Sequence, residues 1–540
     1  MSLSPRFIRW LCILSTITPA LAASPDAWGT RSIYQTMTDR FARTDGSTTS
    51  PCNTTDGLYC GGTWRGMINQ LDYIEGMGFD AVMISPIVKN IEGRVSYGEA
   101  YHGYWPEDLY SLNPNFGTEQ DLLDLSKALH DRGMYLMMDT VINNMAYITN
   151  GSDPSTSIDY SIFTPFNDPK YYHPYCPITD YNNYPLAQAC WTGDDIVALP
   201  DLKTEDPTVQ NILNTWIQEI MTNYSIDGLR LDAAKHVTPS FLPIFQKAAF
   251  NSFITGEVYD QSVDTICDYQ AHYLPSVPNY PVYFALLDAF TRGNTTTLPN
   301  LIQIMKHSCP NVTTLTSFSE NHDVARFASL VPDMNLAKNL LTYTLLSDGI
   351  PMIYQGQEQH LNGAYDPLNR EALWLSSYDT SVPLYQHIRT LNRFRKHVHQ
   401  VDPSYLATQS IPIYRGSSEM AFRKGKVVML LSTQGMQSGN YTVRLVNGYQ
   451  PGVVVIEVVT CGNYTVNERG EVWVDMEKGE PRVLFPVEVM EGSGICGFDE
   501  RSVGMNGDIS GGSRVGVVDK VMAWWWWYVL GMWLVGWGIV

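Results

Sequence analysis

Asp232 is the residue best placed to do chemistry, because it ends a short apolar run with an arginine two positions before it. In G-L-R-L-D, Leu229 and Leu231 alternate with Arg230 and Asp232 at the period of a β-strand. Both polar side chains then share one face, where the guanidinium favours the ionised carboxylate that a nucleophile requires. A structural Arg–Asp pair at a sheet edge is the alternative interpretation.

Two further acids end comparable runs: Glu257 in F-I-T-G-E-V and Asp323 in L-T-S-F-S-E-N-H-D. Singly, such an acid is more often a helix cap or a solvated turn residue. Three acids after three separate runs instead indicate one site. Acids gathered in one site can divide the roles of general acid and nucleophile between them.

The elements that would position these acids alternate between strand-like and helical stretches from Arg31 to Tyr354. This alternation predicts a parallel sheet, and polar groups at the strand ends favour a (β/α)8 barrel, whose active sites occupy that face. Seven strands can be assigned, and the sixth is placed around Tyr280–Ala285. The helical stretches are Gly66–Met77, Glu119–Arg132, Thr208–Asn223, Pro239–Ala249 and Met334–Ser347.

Two segments depart from this rhythm. Residues 143–202 are rich in Tyr, Pro, Asn and Asp and are far longer than an ordinary connection, so they predict a small inserted domain after the third strand. After residue 402 the pattern becomes β. We therefore predict an α/β protein with a barrel over residues 24–402, interrupted by the insertion, and an antiparallel β-domain over 403–496.

These segments resemble short regions of the α-amylase family, glycoside hydrolase family 13, in its fungal secreted branch. The resemblance extends from about Arg31 to Cys496 and includes T-D-R-F-A-R-T-D-G, A-Y-H-G-Y-W, N-Y-S-I-D-G-L-R, F-S-E-N-H-D and G-Q-E-Q-H. It implies that Asp232 is the nucleophile, Glu257 the general acid/base and Asp323 the acid that stabilises the transition state. The sugar contacts it implies are His102, Tyr104, Trp105, Asn144, Arg230, Lys235, His236, His322 and Arg370.

One departure from the family bears on the reaction. The family usually carries Asn-His in its first region, whereas D-T-V-I-N-N-M has Asn144 at the histidine position. Asn is shorter and cannot become cationic. The main interpretation is a retaining α-amylase-type enzyme that acts on α-1,4-glucans by hydrolysis or transglycosylation. Alternatives are a 4-α-glucanotransferase of cell-wall α-glucan and a non-catalytic α-glucan-binding wall protein, against which the three acids argue.

The resemblance also implies a calcium site. Its oxygens would come from Asn143, Asp201 and the backbone carbonyl of His236, with Gln188 where the family has an acid. An amide oxygen can bind calcium, but losing one negative charge should weaken the site.

Composition favours a secreted protein. The net charge of −20 argues against nucleic acid as a partner, and we expect a monomer. Outside the leader, eight cysteines predict four disulfides, which the family pattern implies are 52–60, 176–190, 267–309 and 461–496. The eight cysteines are Cys52, Cys60, Cys176, Cys190, Cys267, Cys309, Cys461 and Cys496. Seven N-x-S/T glycosylation sequons also agree with secretion, at Asn53, Asn150, Asn223, Asn294, Asn311, Asn440 and Asn463.

Both ends carry targeting signals. Residues 1–23 are typical of a signal peptide. Residues 521–540 form an uncharged run with four consecutive tryptophans, preceded by a linker over 497–520 in which Ser510 is a small residue suited to glycosylphosphatidylinositol attachment. A transmembrane helix is the alternative, and Asn506–Asp508 is a second attachment region. We therefore expect an extracellular protein held at the cell membrane or wall by a lipid anchor.

Overall fold

A computed structural model describes residues 23–499. The predicted leader up to Ala22, Ser510 and the apolar tail lie outside the described residues. Ala23, the last residue of the predicted leader, is buried, and its N–H donates to the Asp227 carbonyl at 3.1 Å. Its carbonyl accepts from the Phe253 N–H at the same distance. None of the helices in this part of the chain is long and apolar enough to cross a membrane.

Seven strands form the parallel sheet of a nearly closed (β/α)8 barrel, which confirms the predicted fold. The strands are buried, so their runs are apolar almost throughout. Neighbouring strands pair in parallel. For example, Gly228 pairs with Met137 on one side and with Phe253 on the other. In sheet order the strands are Phe253–Gly256, Gly228–Leu231, Tyr135–Thr140, Ala81–Ile84, Ile33–Gln35, Ile350–Tyr354 and Thr316–Ser317.

The prediction of a sixth strand around Tyr280–Ala285 was wrong, because a helix begins at Tyr280. The Asn279 side chain caps it by accepting from the Val282 N–H at 3.2 Å. A short apolar run has the same composition in a buried strand and in a buried helix face, so periodicity could not separate them. The sixth position is instead filled by residues 276–278, through isolated parallel bridges of Ser276 with Thr255 and of Pro278 with Thr316.

Helices surround the sheet close to their predicted positions. The stretch predicted as one helix over Gly66–Met77 divides at Gln70 into Trp64–Asn69 and Leu71–Gly76. The other helices of at least seven residues are Glu119–His130, Pro207–Tyr224, Leu242–Ala248, Val263–His272, Tyr280–Arg292, Thr297–Ser308, Met334–Leu346 and Pro383–Val401. Shorter helices are Pro25–Gly29, Thr38–Phe41, Pro154–Ser157, Tyr184–Ala187 and Phe327–Leu330.

Two excursions rise from the C-terminal ends of the barrel strands. The first is an antiparallel pair, Val88–Asn90 with Pro106–Leu112, which carries the A-Y-H-G-Y-W segment between its strands. The second is the insertion over 143–202, in which Val197–Leu199 pairs with Tyr147–Ile148 and with Thr192–Gly193. Both excursions therefore start beside the strand ends that carry the acids.

The C-terminal region is an antiparallel β-domain, as predicted. Val443, Val455 and Val474 lie in an apolar core shared by strands of its two sheets. Phe394 of the last barrel helix contacts Phe485 edge to face at 5.2 Å. The strands of the larger sheet, in order, are Ile411–Arg415, Glu419–Lys424, Val427–Ser432, Arg482–Pro486, Val454–Glu457 and Asn463–Thr465, and the smaller sheet is Tyr441–Val446 with Glu471–Met476.

The four disulfides form with the pairing that the family resemblance implied. Six of the seven sequon asparagines are exposed. Asn294 is half-buried, and its Nδ2 donates to Asp288 Oδ2 at 2.6 Å. A glycan on that nitrogen would have to replace this hydrogen bond.

Candidate active site

Arg230 is buried at the C-terminal end of its barrel strand, and its guanidinium contacts four carboxylates. Nη1 lies 2.7 Å from Asp232 Oδ1 and 2.9 Å from Asp139 Oδ2. Nη2 lies 2.9 Å from Glu257 Oε2 and 3.8 Å from Asp323 Oδ2. The structure therefore brings together the three acids that the sequence singled out, around one cation.

Short backbone contacts fix two of these acids relative to each other. The Glu257 N–H donates to the Leu231 carbonyl at 2.8 Å, which continues the parallel ladder beyond the strands. Ala233 has a left-handed φ of 49°, and its N–H donates to Glu257 Oε2 at 3.1 Å. Because a non-glycine residue adopts this conformation at a cost, the turn after Asp232 is held by its surroundings. It presents a backbone donor to the second acid.

Burial dominates the electrostatics of the cluster. It raises the pKa of Asp232 well above the ordinary value for Asp, while the Arg230 guanidinium opposes that shift. Burial likewise raises the pKa of Asp139 to about 6, again opposed by Arg230. The sequence interpretation, in which Arg230 alone sets the ionisation of Asp232, omitted this larger effect. Arg230 is the group that favours ionisation in a site that otherwise resists it.

Tyr104 and His322 form a hydrogen-bonded chain across the site. Gln35 Nε2 donates to His322 Nδ1 at 2.8 Å, so the imidazole proton lies on Nε2, 2.8 Å from the Tyr104 hydroxyl oxygen. That hydroxyl can then donate to Asp139 Oδ2 at 2.6 Å. Burial keeps the pKa of His322 well below its ordinary value, which fits a neutral ring in this chain.

His102 is a second neutral histidine beside Tyr104, with their ring centres 5.6 Å apart. Its Nδ1 accepts from the Tyr104 N–H at 3.0 Å, and burial holds its pKa well below the ordinary value. Its Nε2 therefore carries the hydrogen, which is the donor needed for a sugar hydroxyl. Arg370 completes the region, because its Nη2 lies 3.3 Å from Asp323 Oδ1 and its Nε donates to the His322 carbonyl at 3.0 Å.

Two cavities meet at Tyr104 and Trp105. One, of about 370 Å³, also has His102, Asp366 and Arg370 in its walls. The other, of about 240 Å³, is lined by Asp232 and Glu257 together with Tyr104, Trp105, Asn144, Lys235, His236 and Tyr259. Together they form a groove with aromatic and polar walls that passes the acids, a shape that suits a chain of sugar units.

Asn144 lies in the wall of the smaller cavity, which Asp232 and Glu257 also line. It is buried, and its Nδ2 donates to the Met145 carbonyl at 3.2 Å. The amide therefore satisfies its donor on neighbouring backbone, and it is a shorter side chain than an imidazole.

Of the residues expected to bind calcium, Asn143 and Asp201 lie where the insertion leaves and rejoins the barrel, Gln188 lies within the insertion, and His236 follows the strand that ends beside Asp232. Asp201 Oδ1 accepts from Asn143 Nδ2 at 2.9 Å and its Oδ2 lies 2.7 Å from His173 Nδ1, while Gln188 Nε2 lies 3.5 Å from the Lys235 carbonyl. Asn143 Oδ1 is buried without a partner, and burial raises the pKa of Asp201 to about 7. A buried unpaired oxygen beside a buried carboxylate fits a cation. Within the described residues no group of three or more His, Cys, Asp or Glu side chains is arranged to hold a metal ion.

Sequence reasoning missed three residues of the site. Asp139 ends the run Y-L-M-M-D, the same signal that identified the other acids, so it could have been found. Gln35, which fixes the His322 tautomer, carried no comparable signal. Neither did Asn369, whose Nδ2 donates to the His322 carbonyl at 3.0 Å, because its position depends on the fold of the loop before Arg370.

Comparisons with known proteins agree with this geometry. The profile described as alpha amylase, catalytic domain, matches residues 35–382, and that of alpha-amylase domain C matches residues 412–504. Alpha-amylase 2 of Schwanniomyces occidentalis is 45% identical over 87% of this chain and 93% of its own length. The solved alpha-amylase of Malbranchea cinnamomea is 46% identical, with a TM-score of 0.85 over 88% of this chain and all of its own. The cyclomaltodextrin glucanotransferase CldA has a TM-score of 0.72 at 25% identity, over 84% of this chain and 98% of its own.

Proposed function

This chain belongs to the alpha-amylase family, and we propose that it cleaves α-1,4-glucosidic bonds of starch-like glucans with retention at the anomeric carbon. The observation that carries the proposal is the single Arg230 guanidinium, which holds Asp232 on one nitrogen and Glu257 on the other. Two carboxyl groups held this close suit a retaining reaction, which needs them about 5–5.5 Å apart.

In the first step the Glu257 carboxyl gives its proton to the glycosidic oxygen as the bond to the anomeric carbon breaks. The Asp232 carboxylate forms a bond to that carbon, which gives a covalent glycosyl-enzyme and releases the reducing-end part of the glucan. Asp323, on the edge of the same cluster, faces the positive charge that develops on the sugar. The Nε2 hydrogen of His102 is available to a hydroxyl of the ring being cleaved.

In the second step the oxygen of the attacking hydroxyl bonds to the anomeric carbon while the Glu257 carboxylate takes its proton. The bond from that carbon to Asp232 breaks, which regenerates the carboxylate. Water as attacker gives hydrolysis, and the hydroxyl of another glucan gives transfer. We propose that this chain performs both and that Asn144 favours transfer, because an amide is smaller than an imidazole and Asn144 lines the same cavity as Asp232 and Glu257. Transfer would make it a 4-α-glucanotransferase of cell-wall α-glucan.

The test is to incubate protein truncated before residue 497 with one pure maltooligosaccharide and follow the product lengths. Products longer than the substrate are expected, along with shorter ones. Shorter products alone would make it a hydrolase despite Asn144. Binding without any product would contradict catalysis and favour a non-catalytic glucan-binding wall protein.

We further propose a calcium ion held by Asn143 Oδ1, Asp201, the His236 carbonyl and the Gln188 amide oxygen. When bound, it would supply positive charge that holds the insertion against the barrel. A chelator should lower the melting temperature, and metal analysis should find about one calcium per chain. An unchanged melting temperature with no bound metal would contradict this site.

The proposed location is the outer cell surface, through a lipid anchor attached near Ser510 after removal of the leader. The support is the sequence alone: small residues, a spacer and an apolar run over 521–540. Release of activity from intact cells by a phosphatidylinositol-specific phospholipase is expected. Activity that stays with the membrane pellet would favour a transmembrane helix.

A further inference from the structure

The short helix Tyr184–Ala187 of the insertion contacts the segments that follow two of the catalytic acids. The Tyr184 hydroxyl donates to Asp260 Oδ2 at 2.7 Å. The Ala187 carbonyl accepts from His236 Nδ1 at 2.8 Å. The insertion is thus hydrogen-bonded both to the segment after Asp232 and to the segment after Glu257.

Tyr184 and Asp260 both lie beside the ammonium of Lys235, which lines the smaller cavity. Its Nζ lies 3.8 Å from Asp260 Oδ2, 3.4 Å from the Tyr259 carbonyl oxygen and 4.8 Å from the centre of the Tyr184 ring. The Lys235 residue is buried, with 6% of its surface exposed. A long cation this enclosed keeps one orientation, because its neighbours remove the rotamer freedom it would have in solvent.

Tyr184 makes two separate contributions to that orientation. Its ring faces the ammonium directly, a cation–π contact. Its hydroxyl fixes the carboxylate that pairs with the same ammonium. Neither contribution is a contact with Asp232 or Glu257. The family resemblance implies that Lys235 binds the departing part of the glucan, so we expect the effect of Tyr184 on that side of the cleft.

We propose that Tyr184 is a positioning residue for this side of the cleft, where it holds Lys235 for the departing glucan and for an incoming acceptor glucan. Both use the same space, since the second step approaches the glycosyl-enzyme from the direction in which the leaving group departed. The inference rests on the proposed function. It assigns to the insertion, rather than to the barrel, part of the choice of leaving group and acceptor.

The test compares two substrates. Maltopentaose places glucose units on the Lys235 side of the cleft, whereas α-maltosyl fluoride places only a fluoride ion there. Tyr184→Leu should lower kcat/KM for maltopentaose about fivefold and leave that for maltosyl fluoride within twofold. Tyr184→Phe keeps the ring and loses the hydroxyl, so its effect should be smaller and on the same substrate. Tyr110→Leu is the matched control, because Tyr110 is an exposed tyrosine outside both cavities and should change neither value.

The outcomes separate this inference from the proposed function. Equal losses on both substrates, or no loss on either, would overturn the role of Tyr184 while the wild-type enzyme remained active. A lower melting temperature with an unchanged ratio between the substrates would reduce Tyr184 to a structural contact and overturn it too. Wild-type protein that consumes neither substrate would overturn the proposed function, and this inference with it.

Discussion

Two buried arginines at the C-terminal end of the barrel have carboxylate partners and very different surroundings. Arg230 contacts four acids, and the side chains of Glu257, Asp232 and Asp323 keep 16%, 19% and 30% of their surface exposed. Arg326 is completely buried between two acids. Its Nη1 lies 3.4 Å from Glu320 Oε2 and its Nε lies 2.6 Å from Glu371 Oε2.

The second cluster is closed by its own hydrogen bonds. Glu320 Oε1 accepts from the Phe327 N–H at 2.9 Å, and Glu371 Oε1 accepts from the Gly363 N–H at 2.7 Å. The guanidinium of Arg326 also lies over the Tyr354 ring, 4.5 Å from its centre. The carboxylates therefore use their lone pairs within the protein. Both clusters hold more acids than cations, so the difference lies in access to the cleft. Asp232 and Glu257 line a cavity, whereas Glu320 and Glu371 line neither of the two cavities described above.

The largest effect should come from removing one acid of the open cluster, which is the group of acids around Arg230 that lines the cleft. Asp232→Asn and Glu257→Gln should each lower kcat by several orders of magnitude, because one loses the attacking carboxylate and the other the proton donor. Melting temperatures should change little, since similar side chains remain. Maltooligosaccharide cleavage and thermal unfolding measure the two quantities. Near wild-type activity in either variant would refute the assignment.

The closed cluster, which consists of Arg326, Glu320 and Glu371, should show the opposite pattern: a large change in stability and a small change in activity. Arg326→Met removes the cation between buried Glu320 and half-buried Glu371 and should lower the free energy of unfolding by about 3–5 kcal/mol. The folded enzyme should keep kcat within several-fold of wild type. Denaturant unfolding and activity below the transition check this, with Arg326→Lys as the control that keeps the charge. A loss of kcat by orders of magnitude at unchanged stability would erase the distinction between the clusters.

The pH dependence of stability gives a smaller test of the closed cluster. Burial raises the pKa of Glu320 from 4.5 to about 7, so the folded protein holds this proton where the unfolded chain has lost it. Stability therefore falls as pH rises from about 4.5 to about 7, by up to about 3 kcal/mol. Glu320→Gln should remove this part of the decline. Parallel wild-type and variant profiles of unfolding free energy against pH would contradict the shift.

The smallest effect is expected beside the open cluster, at Asn144. Asn144→His should fill part of the cavity next to the acids and lower the ratio of transfer to hydrolysis products a few-fold, without abolishing cleavage. Chromatography of products from one maltooligosaccharide measures the ratio, and Asn144→Gln controls for side-chain size without a ring. An unchanged ratio in both variants would exclude this position from the choice of attacker.

Most of the barrel and the convergence of its acids could be predicted because strand period and strand-end position are local properties of the sequence. The helix at Tyr280 could not, since a buried helix face and a buried strand have similar composition. The electrostatic state of Asp232 also escaped, because a sequence shows the neighbouring Arg230 but not the depth of burial. Partners from distant loops, such as Asn369 on the His322 carbonyl, depend on tertiary packing.

The sixth position of the barrel has a consequence for how the molecule opens. Residues 276–278 join the sheet through single bridges on either side, to Thr255 and to Thr316, rather than through a continuous ladder. Amide hydrogens there should exchange with solvent sooner than those of the other barrel strands, which are held by longer ladders. Residues 276–278 adjoin the strand that leads to Glu257. A local opening there would loosen Glu257, the proton donor, before the rest of the barrel unfolds.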